Sequence, residues 1–297
     1  MKKFVIISDS CCDLSKELRE QFDVQYLPMH FYLDGKEYDA DLDWQKISVK
    51  EFYDELRKGA KYKTAQITKQ QYEEAFEKAI QDGYDVLSIS CSSALSASVK
   101  VSYLVRDELQ AKYPDAKIFC IDSLMACYGL GAICIAASKM RAEGKTIDEV
   151  AAWVEANKLK MNQECTVDKL SWLKAAGRVS AASAFFGGIL SIKPIIISDA
   201  KGQNFALEKV KGRETSINRL VERIEEDYEE FPYQDVTVVH ADCLEAAEQL
   251  KAKIEERLKD KNVKVSMGYL GPIVGGTCGP GTLAAYCFGK EVTVNKE

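Results

Sequence analysis

Ser88–Ser98 reads SISCSSALSAS, six serines and one cysteine in eleven residues. Before it runs Tyr84-Asp85-Val86-Leu87-Ser88-Ile89, an apolar stretch of strand length, and after it apolar residues recur at helical spacing from Leu95 to Leu109. The serines therefore fall at a strand-to-helix turn. In an open α/β sheet the turn beyond a strand's carboxyl end is where ligands bind, and a following helix presents unpaired backbone N–H groups there. Two readings stand side by side: hydroxyl donors gathered at a ligand site, or Ser92 or Ser93 capping the helix, a position serine favours.

The same unit recurs on either side. Phe4-Val5-Ile6-Ile7 runs into Ser8-Asp9-Ser10-Cys11-Cys12-Asp13, and Leu14, Leu18 and Phe22 follow at helical spacing. Asp9, Ser10 and Asp13 form a polar cluster at the strand's end, or Ser10 or Asp13 caps the helix. Val24–Leu33 is a second extended run, closed by the turn pair Asp34-Gly35. His30, between Met29 and Phe31, reads as a structural residue. Ser48-Val49-Lys50-Glu51, Thr68-Lys69-Gln70-Gln71 and Thr146-Ile147-Asp148-Glu149 are capping boxes that open three helices. Lys63-Thr64-Ala65-Gln66-Ile67 lies ahead of the second box as a hydroxyl-bearing loop. Ile118-Phe119-Cys120-Ile121 is another short strand, ending at Asp122-Ser123. Four rounds of short strand, polar turn and amphipathic helix predict a parallel sheet covered by helices.

Beyond about residue 160 the texture changes, and the division predicted is an α/β domain over 1–160 and an α+β domain over 161–297. Leu170–Arg178 reads as a helix stopped by Gly177, followed by AASAFFGGILSI at 181–192. That apolar segment carries Phe185, Phe186, Ile189, Leu190 and Ile192, which line a lipid-sized cavity or plug a domain interface. A strand at Lys193–Ile197, a helix over Glu214–Glu226, a strand at Val236–His240, a helix over Leu244–Leu258 and a strand at Lys264–Tyr269 follow. Gly271–Gly281 holds five glycines and two prolines, a loop that brings backbone close to a ligand or an ordinary tight turn.

Composition narrows the function. A hydrophobic fraction of 46% with 29% charged residues is that of a folded globular chain rather than a disordered one. A formal charge of −6, without a Lys/Arg block interleaved with aromatics, argues against nucleic acid. MKKFVIISDS lacks the apolar length of a signal peptide. Leu124–Ser138, free of charge over fifteen residues, is shorter than the roughly twenty a bilayer needs. A cytoplasmic chain is expected. Its ten cysteines include no C-x-x-C pair and read as free thiols, Cys127 and Cys134 sharing a helix face. With two histidines, His30 and His240, no metal site is expected. No G-x-x-x-x-G-K-[ST] loop is present to cradle phosphates.

Taken in order, six stretches resemble the DegV family of bacterial fatty-acid-binding proteins, the lipid-carrying subunits of fatty acid kinase. They are Asp9-Ser10 with Asp13, Lys63–Thr68, Ser92–Ser98, Gly177-Arg178-Val179-Ser180, Ile192-Lys193-Pro194 and Gly279-Pro280-Gly281. The resemblance covers nearly the whole chain. It implies a two-domain fold, an N-terminal parallel sheet flanked by helices plus a C-terminal α+β domain, with a lipid cavity between them. A long-chain fatty acid such as palmitate is the implied ligand. Its carboxylate would be held by Thr64 and by Ser96, with Ser93 as the alternative, and Thr277 would stand near it. Phe185, Phe186, Ile189, Leu190 and Ile192 would line the tail, and Arg178 would contact a partner. That partner is an ATP-dependent kinase subunit, which places a phosphoryl group on the presented carboxylate; transient membrane contact for lipid exchange is also implied. The chain itself would have no catalytic residue, metal or further cofactor.

Three departures from the family pattern stand out. Ala65, Ile67 and Thr68 replace the second, fourth and fifth residues of a T-S-x-P-S loop, Ala97-Ser98 replaces Gly-Thr in the serine turn, and Thr277 replaces a histidine. The physical chemistry still suits a carrier. A sixteen-carbon tail buries about fifteen carbons, a gross gain of about 12 kcal/mol at roughly 0.8 kcal/mol per methylene before ordering costs. Neutral hydroxyls orient the head group, and with such donors alone its pKa would rise in an apolar site. A thiol enzyme using Cys91 or Cys278 is the competing reading from another class, and neither histidine has the context of an activating base. A lipid-sensing regulator is a third.

Overall fold

The structure is a computed structural model and describes residues 3–180, 191–261 and 263–295. It opens with β1 (Phe4–Asp9), buried along its whole length as a central parallel strand must be. The chain continues through α1 (Lys16–Phe22), β2 (Val24–Leu27), β3 (His30–Leu33), β4 (Lys36–Asp39), α2 (Val49–Lys58), β5 (Tyr62–Ala65), α3 (Lys69–Gln81), β6 (Asp85–Ser90), α4 (Ser98–Lys112), β7 (Ile118–Asp122), α5 (Cys127–Ala142) and α6 (Ile147–Asn157). Strands β2, β1, β6 and β7 form a parallel sheet in that order, the predicted architecture. The second extended run divides: β2 joins this sheet, while β3 turns away at Pro28 and Met29 into a small antiparallel sheet, β4-β3-β5.

The second half contains β8 (Met161–Thr166), α7 (Ser171–Ala176), β9 (Ile192–Ser198), β10 (Asn204–Lys211), α8 (Arg213–Asp227), β11 (Val236–His240), α9 (Leu244–Arg257), β12 (Val265–Tyr269), α10 (Pro272–Cys278) and β13 (Leu283–Phe288). Its strands make a mixed sheet ordered β10-β9-β8-β13-β11-β12. Helices α8 and α9 pack against that sheet over a core that includes Ile217, Leu220, Ile224, Leu250 and Ile254. A larger apolar cluster joins the two halves, running from Ile6 and Leu87 to Ile196 and Tyr286. The charge-free stretch at Leu124–Ser138 is mostly α5, a buried helix touching β1 on one side and β8 and β13 on the other. A Cβ at Gly131 would lie 2.5 Å from the Cys12 carbonyl, so the absence of a side chain there lets the helix seat against the turn after β1.

Local signals resolve unevenly. The boxes at Thr68 and Thr146 close in both directions, and Ser48 accepts the Glu51 N–H. Gly177 ends α7 with φ 67, in the left-handed region. Neither Ser10 nor Asp13 caps α1: a 3-10 turn, Ser10–Cys12, intervenes, and Ser15 takes that place. Neither Ser92 nor Ser93 caps α4, whose N-cap is Ala97 with no side-chain hydrogen bond. Thr64 lies in strand β5 rather than in a loop. The glycine-rich tail is neither a ligand-hugging loop nor a simple turn over most of its length, because Pro272 starts α10 there. Its glycines admit tyrosine side chains: a Cβ at Gly275 would fall 2.0 Å from the Tyr53 hydroxyl, and one at Gly276 2.2 Å from the Tyr62 ring.

Candidate functional site

The serine turn sits where β6 ends beside β1, and one carboxylate ties the two strand ends together. Asp9 accepts the Cys11 N–H at 2.9 Å and the Cys91 N–H at 2.7 Å. Burial pushes its carboxyl up to about 6, and these N–H donors pull against that rise. After Cys91 the chain folds tightly. The Ser92 carbonyl accepts from Leu95 at 3.0 Å and Ser96 at 2.9 Å, and its hydroxyl accepts from Ala94 at 3.2 Å. Asp122, at the end of β7, takes the Ser93 N–H with both oxygens at 3.2 Å.

This turn forms one wall of a cavity of about 420 Å³, within the range of small-molecule sites. Thr64, Ser93, Ser96 and Thr277 all line it, brought from β5, the serine turn and α10. The Thr64 and Ser93 hydroxyls have no hydrogen-bond partner among the described residues, which leaves the donors of two lining residues available. Ser96 shares a 3.0 Å hydrogen bond with Ser98, which also accepts the Ile67 N–H at 3.3 Å. Thr277 donates to the Ile273 carbonyl at 2.7 Å, a bond inside its own helix, and so offers the cavity only lone pairs.

Arg178 lines the cavity too, just after α7, which places a cation where the sequence reading expected neutral donors alone. Its Nε donates to the Leu95 carbonyl at 3.3 Å and its guanidinium also reaches the Ala176 carbonyl. Among the described residues it pairs with no carboxylate. Asn204, which sequence reasoning passed over, stands beside it and donates to the Arg178 carbonyl at 3.1 Å. A lone Asn at the start of an unrecognised strand carries no local signal.

The apolar side is built by Leu95, Ala126, Ile273 and Val274. A second, small space of about 30 Å³ shares Ala126, Asn204, Val274 and Cys278 with this one and is also lined by Leu270 and Tyr286. Of the expected tail residues, Phe185, Phe186, Ile189 and Leu190 lie outside the described residues. Ile192 opens β9 opposite Lys211 and is not in the cavity wall.

Cys91 and Cys278 both reach the cavity, but neither is activated. The Cys11 S–H pulls the Cys91 thiol down, yet burial and the Asp9 charge outweigh it and hold the thiol above its ordinary value; burial pushes Cys278 up to about 12. Neither histidine lines the cavity. His30 instead faces Asp39 at 3.1 Å, a structural pairing. Among the described residues no cluster of three or more His, Cys, Asp or Glu side chains could hold a metal ion, and no helix is long and apolar enough to cross a membrane.

Comparison with known proteins agrees with this architecture. A DegV domain-containing protein of Clostridium perfringens is 38% identical over 289 residues, 97% of this chain and 98% of that one. A Bacillus subtilis structure, described as DegV, a fatty acid binding protein, is 26% identical with a TM-score of 0.79, covering 97% of this chain and all of that one. A Thermus thermophilus structure, described as showing fatty acid binding of a DegV family protein, superposes with a TM-score of 0.85 at 23% identity, over 98% of this chain and all of that one. The family profile described as "uncharacterised protein, DegV family" matches residues 3–290, and the chain belongs to that family.

Proposed function

We propose that this chain binds a long-chain fatty acid in the 420 Å³ cavity and presents its carboxylate to a separate ATP-dependent kinase subunit for acyl-phosphate formation. The observation that carries the reading is the convergence of Thr64, Ser93, Ser96 and Thr277 on one space, with two of the hydroxyls lacking a partner among the described residues. Fatty acid binding by the Bacillus subtilis relative supports it.

Thr64, Ser93 and Ser96 donate to the carboxylate, and Arg178 adds charge on the side of the serine turn. Thr277 accepts, which favours a protonated head group in the fraction of molecules that carry one. The tail enters between the halves of the molecule, along the apolar wall and past Ala126 and Val274. Arg178, part-buried at the rim, is placed to meet both the head group and the kinase. Phosphoryl transfer belongs to the partner, and transient membrane contact loads and unloads the lipid.

The test is native mass spectrometry of the purified protein, with denaturing extraction of whatever is bound. One fatty acid per chain is expected in the wild type, with loss of it in the Thr64→Ala, Ser96→Ala double variant. A protein that emerges empty and also rejects added palmitate and oleate would sink the proposal.

A further inference from the structure

Three sulfur atoms meet at the cavity's head-group end. Cys11, Met29 and Cys91 all line it, and the Cys11 thiol lies 3.7 Å from the Met29 sulfur while also contacting the Cys91 thiol. The contact is built in by the backbone. Strands β1 and β6 are parallel neighbours, with Ile7 opposite Ser88, so the 3-10 turn after Asp9 that carries Cys11 and the turn after Ser90 that carries Cys91 leave the sheet at the same edge. The Asp9 carboxylate then holds the N–H groups of Cys11 and Cys91 on its two oxygens. Both residues are almost fully buried, at 3% and 2% exposure, and the cavity is the space they share.

We propose that Cys11 and Cys91 form a peroxide-sensitive modification site that closes to an intramolecular disulfide when the cavity is empty and is shielded when it is filled. Hydrogen peroxide or a small alkyl hydroperoxide is the oxidant. Cys91 loses its proton to solvent and its thiolate attacks the peroxide. The O–O bond breaks, the leaving oxygen takes up a proton as water or alcohol, and Cys91 becomes a sulfenic acid. The Cys11 thiol, deprotonated in turn, attacks that sulfur; the S–S bond forms, the S–O bond breaks, and a second water leaves. Two thiols are oxidised and one peroxide is reduced. Cys91 is the first to react: the Cys11 thiol, whose S–H points to the Met29 sulfur, is held well above its ordinary value, and Cys91 is raised less. Its thiol remains above the ordinary value, so the reaction quickens as pH rises.

The identity of the shielding occupant rests on the fatty-acid reading, whereas the thiol pair does not. Lipid-free protein is treated with hydrogen peroxide, free thiols are alkylated, and peptides are mapped by mass spectrometry. A Cys11–Cys91 disulfide is expected in the wild type and none in Cys11→Ser, which separates it from bonding through Cys12. With palmitate at about ten times its Kd, about one molecule in eleven is empty, and the rate should fall about tenfold. Absence of the Cys11–Cys91 bond in lipid-free wild type would overturn the proposal, as would an unchanged rate in protein that native mass spectrometry shows to be loaded. If palmitate does not bind, the fatty-acid reading fails, while a disulfide in the empty protein still upholds the thiol pair as the modification site.

Discussion

The hydroxyls of Ser96 and Ser98 lie 3.0 Å apart, and Ser98 in turn accepts the buried N–H of Ile67 from the segment that follows Thr64. One side chain thus ties the threonine strand to the serine turn and orients a candidate head-group hydroxyl. Ser98 is fully buried at the first turn of α4, where alanine is tolerated by the helix. Ser98→Ala should therefore destabilise chiefly by orphaning the Ile67 donor, by about 1–3 kcal/mol. It should also weaken ligand binding, since Ser96 loses its anchor. Urea denaturation reads the first effect and lipid titration the second; a variant as stable as wild type would show that the link holds nothing in place.

The close approach of α10 to two tyrosines gives a second expectation. Tyr53 donates to the Leu270 carbonyl at 2.9 Å and Tyr62 to that of Pro272 at 2.7 Å, both reaching the start of α10. Gly275→Ala would put a methyl 2.0 Å from the Tyr53 hydroxyl in a fully buried setting. Overpacking of this kind costs about 1–3 kcal/mol. Tyr53→Phe removes the clashing oxygen, so the double variant should lose less stability than the sum of its parts, as measured by a thermal-denaturation double-mutant cycle. Strict additivity would mean that the helix moves aside instead.

These glycines also mark where sequence reading reached its limit. A G-P-I-V-G-G-T-C run has turn composition, and only the tertiary contact with Tyr53 and Tyr62 explains why a helix uses it. The central strands of the parallel sheet, β1 and β6, were legible because both faces are buried and the code is a mostly apolar run. Strand β8, Met161-Asn162-Gln163-Glu164-Cys165-Thr166, was not, although it is buried throughout. Its polar side chains find partners far away in the chain: Gln163 bonds Asn204 and Tyr286, and Glu164 pairs with Arg223. Thr64, Ser93, Ser96 and Thr277 converge on one cavity from three separate stretches of the chain. Hydroxyls at strand ends are visible locally, whereas the commitment of Thr277 to its own helix is not.

Asp13 gives the chain a pH dependence. Its carboxyl is buried, and among the described residues neither oxygen has a partner of hydrogen-bond geometry. Burial pushes it up to about 8, while the nearby Cys127 thiol and Gly271 N–H relieve the charge only in part. The folded protein therefore holds this proton where the unfolded chain, near 3.8, has lost it. The stability it contributes is complete below that value and drains away as pH climbs through about 8. Asp9, raised to about 6, adds a similar decline that ends sooner. Asp13→Asn keeps a residue that tolerates the left-handed backbone at this position, where φ is 51. Its denaturation midpoint should fall less steeply than that of wild type between pH 6 and 8, a window in which Asp9 has largely titrated and Glu164, raised to about 8, still contributes. A variant that declines there as steeply as wild type would assign the slope to other groups.

Glu164 and Arg223 make the most buried ion pair of the second half, at 1% and 14% side-chain exposure. Arg223 reaches both carboxylate oxygens, Nη2 to Oε1 at 3.0 Å, and also meets Asp227 at 3.4 Å. Burial pushes the Glu164 carboxyl up against the pull of that guanidinium. Removing the cation alone leaves a charge with no route to water, so Arg223→Met should cost about 3–5 kcal/mol. Adding Glu164→Gln removes the orphaned charge and should restore most of the loss. The single variant's deficit should also grow from pH 7 to pH 9, because wild type ionises Glu164 beside the guanidinium as pH climbs through about 8, whereas the variant must keep it protonated. Guanidinium denaturation at the two pH values separates the outcomes. A deficit that is equal at both, and unrelieved in the double variant, would mean that Arg223 acts by packing its stem rather than by balancing Glu164.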